Sequence, residues 1–223
     1  MNKRKYKITG VMTAVLLAGL SGVSLFGFED GDLQYWPRIS IQGRLNNRFT
    51  IGMENEIRIG AQITDLYFHH TDFGLQVRLA SWMNCSVNYR SVFSENGKIW
   101  IMEKRPHFNF IVKWKAARVN WSHRSRFECR MISDQKPIWR YRDQMSLSVP
   151  TKIHKIKAEP YVSDEINIDD KSRELNRNRL YLGVKIKNQN KVIYDFYYLQ
   201  EKNKKDDKWT GIHVIGSKLI FTF

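Results

Sequence analysis

Cysteine is nearly missing from this sequence, with two in 223 residues. Two are too few for a disulfide framework, so Cys85 and Cys129 read as isolated thiols. Proline is scarce at five residues, which leaves long segments free to run as uninterrupted strands. Acidic residues are missing from the first seven positions, which hold Lys3, Arg4, Lys5 and Lys7. Long apolar runs are missing everywhere except directly after that basic start, over residues 8–28. A membrane helix needs roughly 20 apolar residues, so any further crossing has to use strands.

The basic start, the apolar run and small residues such as Ser24 and Gly27 are the parts of a secretory signal peptide. The expected division is a signal peptide over residues 1–27, cleaved near 22–28, and one domain over residues 28–223. The alternative for the first segment is a permanent anchor helix. Charge is plentiful and of one sign: 37 basic against 22 acidic residues, net +15. Such a balance suits nucleic acid, anionic lipid or acidic solutes, and export disfavours nucleic acid.

After residue 33 the dominant signal is period two. In residues 139–149, Trp139, Tyr141, Met145, Leu147 and Val149 share one face, broken by Asp143, and Arg140, Arg142, Gln144, Ser146 and Ser148 share the other. In residues 119–131, Trp121, Phe127, Cys129 and Met131 lie with His123 and Ser125, opposite Arg124, Arg126, Glu128 and Arg130. Leu180, Leu182, Val184 and Ile186 oppose Arg177, Arg179 and Lys185. Ile51, Met53 and Ile57 oppose Glu54, Glu56 and Arg58, while Ala158, Val162 and Ile166 oppose Lys157, Glu159 and Glu165. Similar runs bring the number to eleven. Short turns at 46–47, 81–82, 116–117, 150–151 and 188–191 alternate with longer polar connections at 61–72, 94–97, 133–137, 169–174 and 201–208.

Segments of about ten alternating residues, with short and long connections in turn, predict an all-β, antiparallel up-and-down transmembrane β-barrel of about 10–12 strands. Its apolar face would meet lipid. The polar face would line a lumen, as a charge ladder of Glu56, Arg58, Arg124, Arg126, Glu128, Arg130, Arg140, Arg142, Lys157, Glu159, Glu165, Arg177 and Arg179. The last run places Ile215, Ser217, Leu219, Phe221 and Phe223 on one face. Phe221 and Phe223 are the expected recognition signal for the barrel-assembly machinery. A soluble lipocalin-like barrel or β-sandwich would put the apolar face inside instead. The many arginines in register with glutamates, and the Trp, Tyr and Phe near strand ends, favour the membrane arrangement.

Several stretches resemble a known family. They are residues 161–165 (Tyr-Val-Ser-Asp-Glu), 176–184 (Asn-Arg-Asn-Arg-Leu-Tyr-Leu-Gly-Val) and 124–130 (Arg-Ser-Arg-Phe-Glu-Cys-Arg). Tyr35-Trp36, Tyr141-Arg142 and residues 54–58 (Glu-Asn-Glu-Ile-Arg) belong to the same pattern. Together they resemble the DUF2490-like bacterial family, a domain of unknown function expected to form outer-membrane barrels. The resemblance implies a fold and an outer-membrane location in a Gram-negative bacterium; it implies no activity.

For function, the ladder predicts either a rigid filling of ion pairs or a narrow channel leaning toward anions. Outer-membrane lipid and lipopolysaccharide are the expected partners, and no nucleic acid. No catalytic residue, cofactor or metal is expected. His69 and His70 are neighbours whose side chains diverge on an extended chain, and no third ligand is apparent. The enzymatic alternative is a lipid hydrolase or acyltransferase using His123 and Ser125, whose spacing resembles the His-x-Ser of outer-membrane phospholipase. Ser125 is followed by Arg126 rather than Asn-Gly, and no orienting Asn is identifiable.

Overall fold

The computed structural model describes residues 30–223 except 98, 155, 171–173, 188–190 and 206, so the expected signal peptide over residues 1–27 lies outside the described residues. The described chain is all strand and turn. Twelve strands run β1 (Asp32–Arg44), β2 (Phe49–Gly60), β3 (Asp65–Arg78), β4 (Met83–Asn96), β5 (Ile99–Ala116), β6 (Val119–Ile132), β7 (Ile138–Ser148), β8 (Thr151–Ile153), β9 (Ile156–Asp169), β10 (Leu175–Lys187), β11 (Val192–Lys205) and β12 (Lys208–Thr222). Each pairs with the next in sequence, except that β7 and β8 both pair with β9, and β12 pairs back onto β1, closing the sheet into a barrel.

The barrel has eleven staves rather than twelve. Strand β8 continues β7 in the same register: Ser148 faces Tyr161 and Thr151 faces Ala158. Pro150 interrupts the line, because proline supplies no N–H to the ladder. The reversal expected at 150–151 therefore lies further on, at His154, whose φ is 52°. An odd ring of alternating strands has one consequence for direction. The first and last strands run the same way, and the β1–β12 pair is parallel, from Asp32 opposite Ile212 to Gln42 opposite Thr222. The expected all-antiparallel ring is thus corrected at this one seam. Pro37 does not break β1, which is a full strand. Its cost is local: the β1–β2 ladder skips Trp36 and Pro37 between Tyr35–Ile59 and Arg38–Glu56.

The expected alternation of short turns and long loops is also corrected. At the mouth where β1 begins (the upper mouth), β2 and β3 are joined by residues 61–64 alone, and β11 reaches Lys205 before β12 starts at Lys208. Most of 61–72 and 201–208 is strand on both sides of a tight turn, whereas 133–137 does connect β6 to β7 as expected. The 61–64 turn is strained: Ala61, Gln62 and Ile63 have φ of 49°, 56° and 66°. Positive φ is an outlier for a β-branched residue such as Ile63. The Asp32 carboxylate offsets this by accepting from the backbone N–H of Gln62 at 2.9 Å and of Ala61 at 3.2 Å.

The alternation sets polarity. Exposed Ile39, Ile51, Phe73, Val87, Phe127, Leu182, Phe196 and Ile215 all face outward. Trp100, Trp139 and Trp209 ring the wall toward the upper mouth, and Trp82 and Trp114 toward the lower. The buried set is mostly polar and includes Glu56, His70, Arg90, Glu128, Arg142, Glu165 and Arg179. This is inside-out relative to a soluble barrel. One inward apolar cluster exists, of Trp36, Tyr197, Leu199, Ile212 and Val214. Glycine makes room for part of it. A β-carbon on Gly216 would fall 2.0 Å from Cζ of the buried Tyr197, which lies across it.

A methyl at this position would meet that ring, so Gly216→Ala overpacks the wall. We expect a loss of about 1–3 kcal/mol, read as a lowered urea midpoint of the detergent-refolded barrel.

Candidate functional site

The interior divides into two halves. The upper half holds a dense set of paired side chains. The Arg58 guanidinium lies between two rings, its Cζ 3.7 Å from the Trp36 centroid and 4.2 Å from that of Phe68, a stacked cation–π arrangement. Its terminal nitrogen is 2.7 Å from Glu56, which also pairs with Arg38. Trp36 Nε1 donates to Gln34 at 2.9 Å, and Gln34 donates on to Asp32 at 2.8 Å. Across the barrel Glu103 accepts two hydrogen bonds each from Arg105 (2.7 and 2.7 Å) and Arg130 (2.6 and 3.0 Å). Arg140 forks onto Asp169 at 2.5 and 2.9 Å. Arg179 donates to Glu201 at 2.6 Å, with Arg177 at 3.6 Å from the same carboxylate.

At mid-height two carboxylates act as hubs. Glu165, 1% exposed, accepts from Arg124 at 2.5 Å, Arg142 at 2.6 Å and Arg179 at 3.2 Å. Glu128, 0% exposed, lies 3.6 Å from Arg142, 3.7 Å from Arg140 and 3.8 Å from Arg105. These belong to strands β5, β6, β7, β9 and β10, so the hubs stitch nearly half of the wall together.

Below the hubs the lumen opens into a vestibule of about 850 Å³ at the mouth where β1 ends. Its rim carries Trp82, Lys113, Trp114 and Lys185, and its floor carries Arg90, Arg124, Arg126 and Arg142. Its inner end is lined by members of the ion-pair layer, among them Glu56, Arg58, Glu165 and Arg179.

The expected ladder residues fall as follows. Glu56, Arg58, Arg124, Arg126, Glu128, Arg130, Arg140, Arg142, Glu165, Arg177 and Arg179 face inward in the network described, and Glu159 sits near the lower mouth, 2.6 Å from Lys187. Lys157 is exposed at the lower rim, opposite Lys152 and Lys187, with no ion pair among the described residues. Phe221 and Phe223 lie at the lower end of the outer wall, Phe223 fully in the open. Residues the sequence reading missed are Asp32, Gln34, Glu103, Arg105, Asp169 and Glu201, all toward the upper mouth. His69 and His70 belong to β3, not a loop. His69 points outward onto Phe93, with ring centroids 4.7 Å apart, and His70 is buried inside.

The outer wall carries a polar cluster around Asp143. Asp143 lies 2.8 Å from His123 Nε2, accepts from Tyr141 at 2.7 Å and accepts from Ser125 at 3.3 Å. This order is wrong for a serine nucleophile. Activation requires the serine to donate to the histidine, whereas here both hang on the carboxylate. Elsewhere on the wall polar groups also meet in pairs, as Asn55 with Thr71 and Asn178 with Asp164.

A closed barrel, apolar outside and ion-paired inside, is the architecture of a membrane-spanning β-barrel. The chain belongs to the family described as "Protein of unknown function (DUF2490)", whose model matches residues 33–211. No curated protein sequence matches it. Among solved structures it is similar to LpxR from Salmonella typhimurium, at 7% identity and a TM-score of 0.49, over 78% of this chain and 83% of that one. A likeness at that level says nothing about chemistry.

Removing one hub should expose its worth. Glu165→Ala takes from Arg124 its one ion-pair partner among the described residues and from Arg142 and Arg179 one of two, and breaking a buried pair costs about 3–5 kcal/mol. The expected result is a urea midpoint far below wild type, with Glu159→Ala at the rim close to it.

Proposed function

We infer that this chain is a non-enzymatic outer-membrane β-barrel of a Gram-negative bacterium, with a charge-filled interior in place of a through-channel. The inverted polarity carries the reading. Apart from the short β8, strands of 11–18 residues meet or exceed the roughly 9–11 needed to cross a bilayer. Their outward faces offer hydrocarbon to lipid, and a closed ring leaves no backbone edge unpaired there. The longer strands continue past the apolar band toward the upper mouth, where outward Lys104, Lys202 and Lys204 suit the phosphates of lipopolysaccharide. Phe221 and Phe223 are the groups for the assembly machinery to engage. The buried hubs favour a filling over a pore: a permeating ion would have to displace several multiply bonded guanidinium groups at once.

The lipid hydrolase alternative rests on the Asp143 cluster, whose hydrogen-bond order disfavours it. The cluster reads better as a lipid-facing aspartate made tolerable by its donors.

The mature chain should sediment with outer membranes, resist carbonate extraction and migrate faster on gels before boiling than after. Recovery as a soluble monomer without detergent overturns the location. In planar bilayers we expect no stable conductance steps; regular steps from purified wild type overturn the filled-interior reading. Wild type and Ser125→Ala should release fatty acid from phospholipid vesicles only at the protein-free rate. Release by wild type that Ser125→Ala abolishes would establish an enzyme.

A further inference from the structure

The interior has one arginine too many at its centre. Arg126 is only 8% exposed, yet no carboxylate lies within ion-pair distance of it among the described residues. Its Nε donates to Asn109 Oδ1 at 2.7 Å, a neutral acceptor, and no other side-chain hydrogen bond holds it among the described residues. Asn109 is itself fixed, donating to Ser86 Oγ at 2.8 Å, so the bond sets the direction of the guanidinium while leaving its charge uncompensated. The β6–β7 register then puts Arg126 directly opposite Arg142, and like charges facing across a ladder repel. Arg124, two residues away on the same face, and Arg90 complete a cationic floor to the vestibule.

Their existing partners do not relieve this. Arg90 is held by Asp72 at 2.8 Å, and Arg124 and Arg142 share Glu165. The Nε groups of both Arg124 and Arg142 are buried without a hydrogen-bond partner. Buried donors without acceptors are costly, and these two belong to the neighbours of Arg126, which borders both the vestibule and a cavity of about 180 Å³. Planar guanidinium forks match the oxygens of phosphate or carboxylate, two donors at a time.

We propose that the vestibule floor is a binding site for a small, soluble, multivalent oxyanion, held by Arg126 with Arg90, Arg124 and Arg142. The anion enters by the lower mouth and stops at the ion-pair layer. It supplies the negative charge that the wall omits opposite Arg126, so binding also tightens the barrel.

Inorganic pyrophosphate and citrate serve as probes, with chloride as the monovalent comparison. They are titrated calorimetrically into detergent-refolded protein at low ionic strength, and urea midpoints are measured with and without each. We expect pyrophosphate or citrate to bind and to raise the midpoint, and chloride to do neither at the same concentration. Arg126→Gln should weaken binding at least about tenfold, the loss of one charged hydrogen-bonding group. Lys136→Gln, on a distant turn, should leave it unchanged. Should Arg126→Gln fail to show the heat-modifiable folded form, Asn109→Asp decides. It places a carboxylate where Asn109 now meets Arg126, and is expected to raise the anion-free midpoint and suppress the anion-induced rise. Absence of binding to folded wild type, or affinity in Arg126→Gln and Asn109→Asp equal to that of wild type, overturns the proposal.

Discussion

The parallel ladder between β1 and β12 is what makes the wall continuous. A sheet that ends in hydrocarbon leaves rows of N–H and C=O groups without partners, each costing several kcal/mol or so. Eleven residue pairs, from Asp32–Ile212 to Gln42–Thr222, remove both edges together. Closure also imposes the division of chemistry. With a pleated strand every second side chain faces in, so a wall that is greasy outside has to place its charges in the interior, where water cannot solvate them all.

Those charges can be accommodated only by one another. The two hubs, Glu128 and Glu165, are each approached by three guanidinium groups, and arginine suits the task because its fork can serve two carboxylates at once. Arg142 does so, bridging both hubs. The interior is therefore a network in which most members are shared, and this favours rigidity over passage. The vestibule begins where sharing stops and cations outnumber carboxylates.

Much of this was legible in the sequence for a physical reason. Where lipid meets one face and charge fills the other, hydrophobicity must alternate, and β6, β7 and β10 announce themselves in that way. Toward the upper mouth the outer face becomes polar too, with His69, Lys104, Gln200 and Lys202, so the alternation fades although the strands continue. Asp72, Asp169 and Glu201 were consequently placed in loops. The parallel seam was hidden because register between chain ends leaves no local mark. Arg126 looked like any other member of the ladder, and its lack of a carboxylate could be seen only once Asn109 was placed beside it.

An odd number of staves also decides where the barrel begins and finishes. Barrels with an even count return their last strand to the face from which the first departed. Here β1 starts at one mouth and β12 finishes at the other. In a bilayer those two points would open into different compartments, so a reporter fused beside Asp30 and one fused beside Phe223 would be shielded by the same membrane from opposite sides.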